Sequence, residues 1–191
     1  MLTVLVIDES RSRAGEICAG LALAGYQVAA ILAGAEDLSA EVERLQPDVI
    51  LIDTDSPTRD TLENLAAMHK HMPRPVVIFT QEEGREAIRE AVRAGVSAYV
   101  VDGLDPKRIK PIVEVARARF EDTQALRREL DEMSRRLSDR KLVDKAKGVL
   151  MKARGLDEDA AYHAIRKIAM ERGQSMAKVA RDIIDMARVL L

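Results

Sequence analysis

With one cysteine, Cys18, in 191 residues, the chain can form no intrachain disulfide. Cys18 falls in a helical pattern and reads as a small buried apolar residue. Tryptophan is absent and aromatics make up 3% of the chain. That excludes base stacking on aromatic platforms as a main mode of nucleic-acid binding. No apolar run approaches the roughly 20 residues needed to span a membrane. No basic stretch precedes the first apolar run, which meets Asp8-Glu9 at once, so no signal peptide is expected. These absences predict a reducing, cytoplasmic location. The three histidines, His69, His71 and His163, are scattered, and no nucleophile–base spacing occurs. His69 and His71 lie two apart on a helix and do not share a face. An enzyme is therefore not expected. The net charge of −2 by itself decides nothing about partners; its distribution along the chain matters more.

Hydrophobic residues make up 47% of the chain, enough for real cores. Five short apolar runs alternate with helical patterns: 2–7, 27–32, 49–52, 76–79 and 98–101. They are nearly continuous and rich in β-branched residues, as strands buried on both faces of a parallel sheet should be. Helical spacing fills 11–24, 37–45, 60–72 and 83–94, with Gly25 and Gly95 placed to end helices. Repeated βα units predict an α/β domain with an open, doubly wound five-stranded parallel sheet. Sites in such sheets lie at the carboxyl ends of the strands.

Asp8-Glu9 ends the first run, Asp53 ends the third and Thr80 follows the fourth. Carboxylates meeting at strand ends suit a divalent cation and a phosphoryl group. Residues 1–118 resemble the flavodoxin-like receiver domain of response regulators. The resemblance puts Asp53 at the phosphoacceptor position, with Pro57 four residues on, Thr80 at the switch hydroxyl and Tyr99 at the switch aromatic. It departs at Asp102, where the family carries a lysine that pairs with the phosphoryl group. A carboxylate about 6 Å from a phosphoryl oxygen costs roughly 3 kcal/mol at an effective dielectric of ~20. Lys107 is five residues further on, too far into the next helix to replace that lysine. Asp8, Glu9, Asp53, Thr80 and Asp102 therefore read as a pseudo-phosphoacceptor pocket that phosphorylation does not switch. Adventitious Mg²⁺ would sit at Asp8, Glu9 and Asp53, and no cofactor is expected.

After Asp105-Pro106 a helix begins, and nothing obvious stops it before about Arg154. Thr123, Leu126, Leu130, Met133 and Leu137 follow 3-4-3-4 spacing between charged flanks, a short coiled-coil seam. From Arg119 to Leu137 it would run about 28 Å. The seam Leu126, Leu130, Met133 and Leu137 predicts a homodimer, because so narrow a stripe buries little without a partner helix. The plainer alternative is an amphipathic helix packed on its own chain. Two further helices follow. Gly155 ends the long helix and Asp157 caps the next, with Tyr162, Ile165, Ile168 and Ala169 on one face. Gly173 ends that helix and Ser175 caps the last, whose apolar face runs from Met176 to Leu190. The domains are thus 1–118, a coiled-coil linker at 119–137, and a small all-α three-helix bundle at 138–191.

This tail holds 12 Lys and Arg against 8 Asp and Glu, a local balance of +4 that leaves −6 elsewhere. Its stretch A-K-G-V-L-M (146–151), with Tyr162, Arg166 and Ala169-Met170 on the following helix, resembles the ANTAR domain, which binds RNA hairpins. Candidate RNA contacts are Lys141, Lys145, Lys147 and Lys152, then Arg166, Lys167, Arg172 and Lys178, with Gln174 and Ser175 in the turn between the last two helices. Phosphate contacts would supply affinity, and polar contacts to splayed loop bases specificity. Gly148 in mid-helix costs about 1 kcal/mol against Ala, which predicts close packing of another helix or close approach of RNA.

A degenerate receiver joined to such a tail resembles the AmiR/NasT antiterminators. The stretches 51–60, 96–103 and 118–127 look most like the nitrate-assimilation members, NasT. The resemblance implies antitermination on tandem leader RNA hairpins, one per domain of a dimer. It also implies an inhibitory nitrate-sensing partner protein similar to NasS. Nothing in the residue chemistry points to nitrate. The alternatives are a phosphorylation-dependent DNA-binding response regulator and a protein-interaction adaptor. Against the first, the last helix is weakly basic and ends in Val189-Leu190-Leu191. Duplex DNA and a membrane are not expected partners.

Overall fold

The computed structural model describes residues 1–8, 13–101, 105 and 107–190, the side chains of 189 and 190 excepted. Two compact units divide the chain, Met1–Gln124 and Ala125–Leu191.

The first unit alternates β1 (Thr3–Asp8), α1 (Ala14–Leu23), β2 (Gln27–Leu32), α2 (Leu38–Leu45), β3 (Val49–Asp53), α3 (Arg59–His71), β4 (Val76–Thr80), α4 (Arg85–Arg93) and β5 (Ala98–Val101). The strands pair in parallel in the order β2-β1-β3-β4-β5, the doubly wound sheet that the alternation predicted. The continuous apolar runs became the central strands: β3 and β4 are buried throughout, and β1 from Val4 onward. The edge strands β2 and β5 are only half covered, and Ile31 is exposed.

Period-two alternation sorts the side chains into two cores. Leu5, Ile7, Ile50, Ile52 and Ile78 pack with Leu38, Val42, Leu62, Leu65 and Met68 of α2 and α3. Val4, Val6, Leu51 and Phe79 pack on the other face with Ile17 and Leu21 of α1 and with Ile109, Val113 and Ala116. Each fully buried aliphatic side chain contributes about 1.5–3 kcal/mol relative to exposure. Cys18 is half-buried rather than enclosed. Gly95 ends α4 at φ +97°, and a Cβ there would lie 2.6 Å from Cγ of His69. The same imidazole meets Phe120 edge-on at 6.1 Å, so glycine is required to seat it.

The long helix α5 spans Ile109–Arg154. Pro111 falls in its first turn, where backbone N–H groups have no helical partner to lose. In the second unit, α5 is joined by α6 (Glu158–Arg172) and α7 (Met176–Leu190). Each predicted punctuation residue acts as expected. Gly155 and Gly173 take positive φ, Asp157 accepts from Ala160 N–H at 2.7 Å, and Ser175 accepts from Lys178 N–H at 3.2 Å. The core is Ala146, Ile165, Ala169, Val179, Ala180 and Ile184, flanked by Leu142, Val143, Leu150 and Ile183. Tyr162 departs from its expected place. The buried stripe of α6 is Ala161, Ile165 and Ala169, and Tyr162, one position round the helix, is 40% exposed.

Candidate functional site

The strand order reverses between β1 and β3, and there Asp8 and Asp53 are direct register partners at the carboxyl ends. Both are buried. Glu9 and Asp102, which sequence reasoning placed in the same pocket, lie outside the described residues. Asp53 is not left to a metal. The Arg13 guanidinium, just before α1, stands with Nε 3.0 Å from Asp53 Oδ2 and Nη2 3.6 Å from Asp55 Oδ1. Burial still pushes the Asp53 carboxyl above its usual range. Arg13 opposes the rise, and Asp8 and Asp55 add to it. Sequence reasoning missed Arg13, since no local pattern marks an arginine that closes on a carboxylate forty residues away.

The switch pair is tied to backbone. Thr80 Oγ1 donates to the Asp55 carbonyl at 2.8 Å and accepts from Glu82 N–H at 3.1 Å. Tyr99 Oη donates to the Glu82 carbonyl at 2.9 Å. Both hydroxyls are thus committed to the loops that follow β3 and β4.

A receiver pocket implies Mg²⁺, held by oxygen ligands in near-octahedral geometry. Among the described residues no group of three or more Asp, Glu, His or Cys side chains converges as a metal site would require. With a guanidinium already on Asp53 Oδ2, the described residues by themselves do not fit the ion.

In the second unit, Lys141, Lys145 and Lys152 recur with Gly148 at 4-3-4 spacing and so share one face of α5. All three lysines are exposed, and none forms an ion pair with a described residue. A Cβ added at Gly148 would meet nothing within 4 Å. Packing of another helix on Gly148, one of the two expected reasons for it, is therefore ruled out within the described chain. Lys147 sits apart from this row. Its side chain is 14% exposed and bridges Asp144 at 2.8 Å and Glu158 at 2.7 Å, tying α5 to the first turn of α6. Those bonds hold the Asp144 carboxyl below its ordinary value and the Lys147 ammonium above.

Arg166 and Lys167 lie with His163 and Met170 around a surface hollow on α6. Lys167 approaches Glu171 at 3.9 Å, and Lys178 pairs with Asp182 at 3.1 Å. Gln174 and Ser175 are exposed in the turn between α6 and α7. Arg172 lies elsewhere, lining with Arg154 a hollow of about 470 Å³ whose apolar wall includes Leu150, Ile168, Ile183 and Met186. Sequence reasoning did not name Arg154, whose sequence position is that of an ordinary basic residue in a last helical turn. The predicted seam is open: Leu126, Leu130, Met133 and Leu137 are 61, 65, 64 and 56% exposed.

The response regulator receiver domain matches residues 4–114, and the ANTAR domain matches residues 131–184. The chain is 30% identical over 161 residues to the transcriptional regulatory protein PdtaR of Mycobacterium tuberculosis, covering 84% of this chain and 78% of that one. It is 36% identical over 75 residues to the nitrate regulatory protein of Klebsiella oxytoca, a match that covers 39% of this chain and 19% of the relative. Among solved structures, a CheY-like response regulator receiver domain protein from Methanospirillum hungatei superposes with a TM-score of 0.55. That match is 21% identical and covers 64% of this chain and 98% of the other, a likeness of fold. No helix among the described residues is long and apolar enough to cross a membrane.

Proposed function

The chain belongs to the AmiR/NasT family of response regulators that end in an ANTAR domain, and from that membership we propose that it binds tandem hairpins in a nascent leader transcript and so favours antitermination. RNA-binding regulation of this general kind is what the family does. The finer reading is that the transcript belongs to nitrate or nitrite assimilation genes, supported by the similarity to the nitrate regulatory protein. The receiver is read by an inhibitory, nitrate-sensing partner similar to NasS rather than by a kinase. The ion pair on Asp53 supports that control, since it engages the carboxylate that a phosphoryl group would need.

One observation carries the RNA reading. Lys141, Lys145 and Lys152 present exposed charge around a glycine that nothing in the described chain requires. Cations left unpaired on one helix face suit a phosphate backbone, and a missing side chain lets that backbone approach. Arg166, Lys167, Arg172 and Lys178 add positive charge, and Gln174 and Ser175 are placed for loop bases. The open leucine seam supports a homodimer, which brings two such tails to two hairpins and raises affinity through effective concentration.

Fluorescence anisotropy tests this with three nucleic acids: a leader RNA carrying two hairpins, the same RNA with altered loops, and matched duplex DNA. The intact leader should bind most tightly and lose affinity as salt rises. Equal affinity for all three would reduce the tail to a nonspecific basic bundle. Preference for duplex DNA would favour the DNA-binding response regulator instead.

A further inference from the structure

We infer that Arg13 is a built-in counter-cation that takes the place of the divalent metal, so that this receiver pocket does not take up Mg²⁺. Asp53 is fully buried, and a carboxylate removed from water is retained only with a compensating charge. Among the described residues the cation in contact with it is Arg13, at 3.0 Å. The same guanidinium reaches Asp55 at 3.6 Å and so spans the end of β3 and the loop beyond it. Arginine suits this role, because its charge is permanent and its planar fork can serve two carboxylates together.

Mg²⁺ would have to reach an Asp53 oxygen at about 2.0–2.1 Å and complete octahedral geometry against the positive charge of the guanidinium that already stands 3.0 Å from Oδ2. A tethered arginine competes at a high effective concentration that a dissolved ion must overcome. The surrounding contacts agree with a pocket held in one state. The Asp55 carbonyl that accepts from Thr80 belongs to the residue Arg13 also reaches, so both interactions fix the loop after β3. Tyr99 in turn is tied to the loop after β4. The receiver is thus latched by its own chain, and a signal must enter through its surface rather than through this pocket. The latch deepens the partner-controlled reading above, but its test uses no RNA and no partner, so either can fail without the other.

The experiment is a titration of the full-length protein with Mg²⁺ by calorimetry, repeated with Mn²⁺ by electron paramagnetic resonance. Wild type should show no saturable site up to about 10 mM Mg²⁺. Arg13→Ala should gain one site, at least ~10-fold tighter than any wild-type binding, and Arg13→Ala with Asp53→Asn should lose it again. A wild-type site as tight as the variant's would overturn the inference. Absence of binding in both would overturn it too, since the arginine would then not be what excludes the ion. If Arg13→Ala does not fold, Arg13→Gln keeps the length and removes the charge. A thermal double-mutant cycle of Arg13→Gln with Asp53→Asn then reads the pair directly, and zero coupling would refute the contact itself.

Discussion

Gly148→Ala separates stability from RNA binding more cleanly than any charge reversal on this surface. The position is interior to α5, six residues before the end of the helix at Arg154 and inside its last fully hydrogen-bonded turns. An ideal Cβ built there meets no atom within 4 Å, so alanine introduces no clash in the described chain. The helix should therefore gain the full difference in propensity, about 1 kcal/mol. For a unit as small as Ala125–Leu191, that corresponds to a rise of roughly 4–8 °C in the midpoint of its thermal transition. On the proposed reading the methyl group stands between Lys145 and Lys152, where the RNA backbone comes closest. Holding that backbone away should weaken leader binding by ~10-fold or more, equivalent to about 1.4 kcal/mol. Gly148→Val should weaken it further, because the obstruction is larger. The assays are circular-dichroism melting and fluorescence anisotropy on the same preparations. A variant that melts higher and binds the leader as tightly as wild type would refute the reasoning, since the glycine would then serve no approach. A variant that melts lower would show that the vacancy at Gly148 is filled by something outside the single chain, such as a second protomer.

Leu130→Asp with Leu137→Asp should convert a dimer to a monomer in sedimentation velocity and weaken binding to the two-hairpin leader more than to a single hairpin. A wild type that sediments as a monomer with RNA present would remove the seam from the argument. Lys145→Glu should weaken RNA binding and lower the slope of log affinity against log salt by about 1, with no change in melting. Lys147→Glu should instead lower the melting point, because it sets a third carboxylate against Asp144 and Glu158; an unshifted melt would mean those bridges contribute nothing. Asp53→Asn should raise the melting point at neutral pH and leave leader binding unchanged. The raised Asp53 pKa means that the folded state holds its proton more tightly than the unfolded state does. Stability from this group is therefore lost as pH rises above the ordinary carboxylate value of 3.8, and the asparagine's advantage should vanish below it. An equal advantage at pH ~3 and pH 7 would show that ionisation of Asp53 is not the cause.

The sequence by itself determined the order of elements in both units. Short continuous apolar runs rich in β-branched residues and bounded by turn residues fit strands covered on both sides, and Val49–Asp53 and Val76–Thr80 became the sheet centre, whereas Gln27–Leu32 and Ala98–Val101 became half-covered edges. Asp157, Gly173 and Ser175 act on their own backbone within three or four residues, so their capping roles were legible locally. The common face of Lys141, Lys145 and Lys152, and the seam from Leu126 to Leu137, follow from helical periodicity alone. What only the tertiary structure decided depends on groups distant in sequence. Arg13 reaches Asp53 because parallel pairing of β1 and β3 brings the start of α1 over the end of β3, a proximity that no spacing encodes. Lys147 looked like its neighbours, yet the turn after Gly155 brings Glu158 back against it and turns a basic residue into a tie between helices. Tyr162 was set outside the core by a rotation of one residue, fixed by how α6 packs on Ala146 and Val179 rather than by its own apolar pattern. The space beside Gly148 is likewise a property of the packed bundle: propensity marks the glycine as costly, and only the folded chain shows that nothing within it requires the vacancy.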